Sequence, residues 1–333
     1  MKNRVLGVMD LMLAVLMVSI TFAGCGNSPK NAGKRNNVFE QNSETGSSQE
    51  EEETKAEVST SVRIKGMQKQ YVYTGEDVVI PYLYEAMGSE SVGIMILCDG
   101  IATPFHTQEE PEDKIFQVVS IRAGKEKEID LHVIPYGKRG DKVCVEVVDV
   151  TDPAFDYQNA TEQEIHDAFG MGGKYQVRYI SGITVSMEKG GLSYNGQIAT
   201  DYTSRSIKKN QGAVDDFFDE ENIQELNADG TVQGERSDWY CVKQGDVLDL
   251  KIRYYGPDDK KIMTSVYVDG ELYPAFRGKE YIQCSIRENE FSIVKGTIDT
   301  SALGKGRHVV FGACGSPEYN NTRVFWPFVL EVK

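Results

Sequence analysis

This sequence is short of the residue patterns that most enzymes need. Its six cysteines include no CxxC pair, so zinc-ribbon and thioredoxin-like readings lack their ligands or their motif. Its four histidines, His106, His132, His166 and His308, fit no HExxH pattern, which removes a thermolysin-like zinc site. No GxSxG elbow and no P-loop occur, so serine-hydrolase and nucleotide-phosphate chemistry lose their signatures. Basic residues are outnumbered 36 to 51 by acidic ones, for a formal charge of −15. Nucleic-acid binding needs basic patches that neutralise phosphate, so it is disfavoured. Repeated βαβ signals are also missing, which argues against the two α/β lobes usual in a transporter's solute-binding subunit.

What is present begins at the N-terminus. Lys2 and Arg4 precede the apolar run LMLAVLMVSITFA at 11–23. That is the length of a signal peptide and too short for a comfortable membrane span, which takes about 20 residues. Asp10 also opposes an uncleaved span, since a charge near mid-membrane costs roughly 3 kcal/mol. The stretch Ile20-Thr21-Phe22-Ala23-Gly24-Cys25-Gly26 resembles the lipobox of bacterial lipoproteins, with Phe22 where that family usually has Leu. The resemblance implies a cut before Cys25, a diacylglycerol on its thiol, and a chain anchored in lipid at the outer face of the cytoplasmic membrane. Loss of Lys2, Arg4 and Asp10 would move the net charge from −15 to −16. So acidic a body is repelled by an anionic membrane surface and should stand off from it.

Residues 25–60 read as a tether dominated by Asn, Ser, Gly and Glu, with the run Glu50–Glu53 near its end. It offers almost nothing apolar to offset the entropy of ordering, and as a flexible coil it would span roughly 30 Å. From about residue 61 the pattern turns to short strands rich in Val, Ile and Tyr: Val58–Ile64, Gln70–Tyr73, Asp77–Tyr84, Val92–Cys98, Ile115–Ile121, Glu128–Ile134 and Lys142–Val150. Turn residues separate them at short spacing, the signature of an antiparallel sandwich or barrel. At 153–172 the segment Thr161-Glu162-Gln163-Glu164 predicts a capping box opening a two-turn helix that stops near Gly170. Strands resume at Tyr175–Val185 and again from Trp239 to Val332. Between them, 188–236 reads as an insertion rich in polar residues, with a helix over Ala213–Leu226.

The two halves echo each other. VGIMILCDGIATPF at 92–105 matches KIMTSVYVDGELYPAF at 261–276, so Asp99-Gly100 falls on Asp269-Gly270. TGEDVVIPYLY at 74–84 matches KQGDVLDLKIRYY at 243–255, and GKRGDKVCVEVVDV at 137–150 matches GKGRHVVFGAC at 304–314. The expected fold is therefore all-β, as two antiparallel β-sandwiches in tandem with short helices in the connector and the insertion. The first covers 61–152, and the second covers 173–333 with its insertion. The segment IDTSALGKGRHVVFGACGS resembles the edge-crossing turn and next strand of bacterial immunoglobulin-like domains. Leu303 would plug the core, and Gly306 would precede an alternating strand with Val309, Phe311 and Ala313 on one face.

Candidate chemistry is sparse. His132 and His308 sit among apolar neighbours on predicted strands and read as strand-face residues rather than ligands. Cys314 and Arg323 have the look of a sortase-type pair, but His308 is six residues away on one strand, roughly 20 Å at 3.3 Å per residue, beyond the reach of a general base. Alternation puts Val143, Val145 and Val147 inside and turns Cys144 outward with Lys142 and Glu146. Cys98 points in, and Cys284 reads as a buried thiol. Free thiols are expected throughout, with a Cys241–Cys314 pair left open. The acidic residues of the 213–226 helix spread around its surface and lack a DxDxDG loop, so no calcium or other metal site is assigned. Trp326 alternates with Phe328, Leu330 and Val332 and reads as core, whereas Trp239 invites sugar stacking. Tyr179, Tyr194 and Tyr202 flank the insertion and are the candidate ligand-binding residues, since tyrosine supplies contact area at low entropy cost. The resulting expectation is a lipid-anchored, non-catalytic binding module without a cofactor, whose partner is an envelope protein or a cell-wall polymer. A transporter accessory subunit is the alternative, and an envelope enzyme is disfavoured.

Overall fold

The computed structural model describes residues 59–64, 70–87, 91–122, 125–170, 173–206, 238–254, 260–287, 290–316 and 319–333. Cys25, the tether up to residue 58 and the helix expected at 213–226 lie outside these residues, as does the side chain of Trp326. In chain order the elements are β1 (Ser59–Ile64), β2 (Gln70–Tyr73), β3 (Val78–Met87), β4 (Ser91–Cys98), β5 (Ile101–Ala102), β6 (Phe105–Thr107), β7 (Phe116–Ser120), β8 (Glu126–Val133), β9 (Lys142–Thr151), α1 (Glu162–Phe169) and β10 (Val177–Met187). There follow β11 (Ile198–Ala199), β12 (Thr203–Ser206), β13 (Trp239–Val242), β14 (Val247–Tyr254), β15 (Lys260–Val268), β16 (Glu271–Tyr273), β17 (Tyr281–Ile286), β18 (Glu290–Asp299), β19 (Gly306–Ser316) and β20 (Tyr319–Val332).

Strand pairing sorts these into two sandwiches, as the sequence predicts. In the first, sheet β1-β3-β8-β6 faces sheet β2-β10-β9-β4, to which β5 and β7 add at β4. In the second, β12-β18-β14 faces β11-β17-β15-β19-β20-β13, with β16 on β15. Each sandwich closes on its own apolar core, one built around Ile80, Ile96, Leu131 and Val145, the other around Leu250, Val266, Val294 and Phe328.

The duplication is structural as well as textual. The order β2-β10-β9-β4-β7 recurs as β13-β20-β19-β15-β17. Asp99 and Gly100 turn with φ of 50° and 82°, and Asp269 and Gly270 with 52° and 81°. Two successive positive φ values are what a tight hairpin turn demands and what an Asp-Gly pair tolerates. Each aspartate is tied to the neighbouring strand in the same way. Asp99 donates its N–H to the Cys144 carbonyl and accepts the Cys144 N–H on its carboxylate, both at 2.8 Å. Asp269 does the same with Val309, at 2.8 and 2.9 Å.

Pairing also moves a boundary. The sequence reading gives 173–187 to the second sandwich, but β10 pairs with β9 from Val177 to Ser186 and runs parallel to β2. It closes the first sandwich and is the counterpart of β20. The helix α1 therefore lies within the first copy, in the β9–β10 connection, and 188–238 is the link between copies. The described part of that link supplies β11 and β12 to the second sandwich. The boundary is hidden in sequence because only two residues separate β19 from β20, whereas a helix-bearing loop separates β9 from β10.

A third core joins the sandwiches. On β9, Val143, Val145 and Val147 enter the first core as expected. Cys144 and Glu146 face the other way, yet they are only 4% and 0% exposed, because the second sandwich covers that face: Gly315 of β19 lies against the Glu146 carboxylate. On β19 the parity works in the same sense. Val310 and Cys314 enter the second core, while Val309, Phe311 and Ala313 lie in the third. Met95, Leu97, Val148 and Val150 meet them from the first copy, with Ile165 and Phe169 of α1 at one end. Burying a side chain of this size stabilises by about 1.5–3 kcal/mol. The inner sheet of each sandwich is thus buried on both faces, and the described residues of the two copies form one compact unit.

The helix acts as a bracket on this joint. Thr161 caps it and Glu164 reaches back to the Thr161 N–H, completing the expected capping box. Its inward residues Ile165, Ala168 and Phe169 are buried, and His166 Nδ1 lies 3.1 Å from the Asp238 carboxylate. Arg307 of β19 fastens the preceding loop, donating to the carbonyls of Tyr157 (2.9 Å), Gln158 (3.3 Å) and Ala160.

Candidate functional site

The link pins a loop of the first sandwich and opens a cleft beside it. Tyr136, in the loop between β8 and β9, forms a parallel bridge with Leu192. Leu192 donates to the Pro135 carbonyl at 2.9 Å, and Gly137 donates to the Leu192 carbonyl at 3.2 Å. The result is a cleft of about 410 Å³ whose lining includes Asp99, Tyr136, Lys138, Asp141, Lys142 and Tyr194. That volume suits a small ligand. The walls combine two aromatic rings with both signs of charge.

Tyr194 holds the cleft to both sandwiches. Its ring meets Tyr136 edge-on at 6.4 Å and Tyr281 at 5.0 Å. Its hydroxyl donates to the Glu280 carboxylate at 3.1 Å. Burial, then the Glu280 hydrogen bond, pushes this phenol up to about 12, so it remains a neutral donor. Burial likewise raises the Asp99 carboxyl above the ordinary carboxylate range, while the Cys144 N–H pulls it back.

The structure does not bring the three candidate tyrosines together. Tyr194 lines the cleft. Tyr179 sits half-buried at a bulge in β10, its phenol raised chiefly by burial. Tyr202 packs against the second core. Trp239 does not offer a free stacking face, since the Arg307 guanidinium lies 4.6 Å above its ring.

Cys98, Cys144, Cys241, Cys284 and Cys314 form no disulfide, so the Cys241–Cys314 pair is not made. Cys314 is fully buried, and burial drives the Cys98, Cys144 and Cys284 thiols upward, away from thiolate. His308 is structural: Nδ1 is 2.7 Å from the Asp269 carboxylate and Nε2 is 2.9 Å from the Gly304 carbonyl.

One grouping escapes sequence reasoning. His106 of β6 and His132 of β8 are register partners, and with Asp77 they bring three metal-ligating atoms within 4.8 Å of one another. The sequence places His132 on a strand but His106 on none, and which strands pair is not encoded locally.

No family model and no curated protein matches the chain. Among solved structures it is similar to the CsuC–CsuE chaperone–tip adhesion subunit complex of Acinetobacter baumannii, at 10% identity over 82% of this chain and 99% of that one, with a TM-score of 0.21. It is also similar to the YadV chaperone, at 12% identity over 80% and 99%, with a TM-score of 0.21. A protein of unknown function from Porphyromonas gingivalis matches at 8% identity over 82% and 99%, with a TM-score of 0.20. At these TM-scores the likenesses add nothing to the fold described above.

Proposed function

We propose that the chain is exported, cut before Cys25 and held by lipid on that sulfur, and that it serves as a non-catalytic binding module at the outer face of the cytoplasmic membrane. The lipobox-like segment at 20–26 supports the address. The cleft carries the functional reading: Tyr136 and Tyr194 offer ring edges, and Lys138, Lys142 and Asp141 offer charge and hydrogen bonds around a ligand-sized space. Such a mixed aromatic and polar lining suits a hydroxylated fragment of a cell-wall polymer. The third core stiffens the walls, so binding loses little entropy to ordering them.

Calorimetric titration of full-length protein with soluble wall fragments tests the ligand. Saturable binding is expected, with Tyr194→Ala weakening it at least tenfold, about 1.4 kcal/mol. Wall fragments that fail to bind, or bind the variant equally well, would refute the cleft as their site. Mass spectrometry of the cell-derived protein tests the anchor: the expected N-terminal residue is a diacylglyceryl Cys25, and an intact Met1 terminus would refute it.

A further inference from the structure

We propose that Asp77, His106 and His132 form a binding site for a divalent transition-metal ion of the zinc and copper group. Strands β6 and β8 and the residue just before β3 build it in the outer sheet. His106 pairs across β6–β8 with His132, and His132 pairs across β8–β3 with Val79. Asp77 lies two residues before Val79 and so shares its face. The flanking residues Phe105, Leu131, Val133 and Val78 enter the core, which fixes the three polar side chains on the outer surface. Each is about 30% exposed, open enough for an ion to enter.

The donor distances are near those a metal needs. The Asp77 carboxylate oxygen is 3.6 Å from His106 Nε2 and 4.0 Å from His132 Nδ1, and all three ligand atoms lie within 4.8 Å of one another. Bonds of about 2.0–2.1 Å in a tetrahedron put donors roughly 3.3 Å apart, so the Asp77 contacts close by about 0.3 and about 0.7 Å and the two rings must turn toward each other. The two rings lie nearly parallel, at 8° with centroids 4.9 Å apart. Binding therefore rotates one ring about its soft terminal torsion to aim both lone pairs at one point.

A second observation points the same way. His106 Nδ1 lies 2.9 Å from the Asp113 carboxylate. A carboxylate can only accept, so Nδ1 donates to it, and Nε2 is the nitrogen left to face Asp77 and take a metal, the carboxylate–histidine–metal arrangement that orients ligands in metalloproteins. Two imidazoles and one carboxylate select zinc, copper or nickel; calcium and magnesium take more oxygens than this group supplies. Three protein donors leave a coordination position for water or for a donor from a bound partner.

The test is a titration of zinc chloride into the full-length chain carrying Cys241→Ser, which removes an exposed competing thiol. One ion per chain is expected. His132→Gln and His106→Gln should each weaken binding at least 100-fold, and Asp113→Asn should weaken it 10- to 100-fold with the stoichiometry kept. No binding tighter than roughly 0.1 mM, or equal affinity in His132→Gln, would overturn the proposal. Should the variants fail to fold, copper-induced broadening of histidine ring protons decides the matter in the parent chain. His106 and His132 should broaden before His166 and His308, and the reverse order or uniform broadening would overturn it.

Discussion

Replacing Arg178 by alanine is expected to cost the protein about 3–5 kcal/mol, since that is what stripping the partner from a buried ion pair does. Asp149 of β9 is fully buried. Arg178 of β10 holds it through two bonds, Nε to Oδ1 at 2.9 Å and Nη2 to Oδ2 at 2.5 Å. Burial pushes the Asp149 carboxyl up, and the guanidinium pulls it back. Without the arginine the upward push is opposed only by the weaker Tyr82 hydrogen bond. A carboxyl raised in the folded state favours folding below its unfolded value near 4 and weakens folding as pH rises through the folded value. The variant's deficit should therefore be largest at neutral pH and shrink on acidification. Denaturant melts of parent and variant from pH 7 to pH 4 measure this. The apolar pair Arg178→Met with Asp149→Leu should recover most of the loss, because neither charge is then buried.

Truncating Phe311 to alanine is expected to cost about 3–5 kcal/mol as well, the usual range for emptying a buried aromatic position. Phe311 is fully buried and stacks on Tyr267 at 5.0 Å and 14°. It lies in neither sandwich's own core but in the layer between them. Its loss should weaken the joint while leaving Val310 and Cys314 packed in the second core. Native-state hydrogen exchange discriminates this from general destabilisation. Amides of β4, β9 and β19 should lose protection more than those of β3 and β14 in the outer sheets. Equal loss in all five strands would place Phe311 in an ordinary single core.

Much of the fold was legible in the residues. The longer strands from Gln70 to Thr151 were readable from Val, Ile and Tyr between turn signals, though the short β5 and β6 were not, and the duplication was readable from two Asp-Gly hairpins in matching contexts. The α1 capping box was readable because Thr161 and Glu164 bond within one turn. What could not be read was everything set by the second sandwich. Alternation sent Cys144 and Glu146 to solvent, which is correct for an isolated sandwich and wrong for one covered on both sides. The clue was present in VGIMILC at 92–98 and VVFGAC at 309–314, where apolar residues occupy both parities. Strands buried on both faces read that way. Of the candidate ligand residues, Tyr194 reaches the cleft only because the link is pinned at Leu192. Tyr179 and Tyr202 share its composition but not that anchor. The histidine pair needed the β6–β8 register, which no local pattern encodes.

The joint between sandwiches is what makes the cleft a fixed feature, and differential scanning calorimetry of the unmodified chain tests it most directly. The third core predicts one unfolding transition, with a calorimetric to van't Hoff enthalpy ratio of about 1. Two resolved transitions, each accounting for one sandwich, would contradict it.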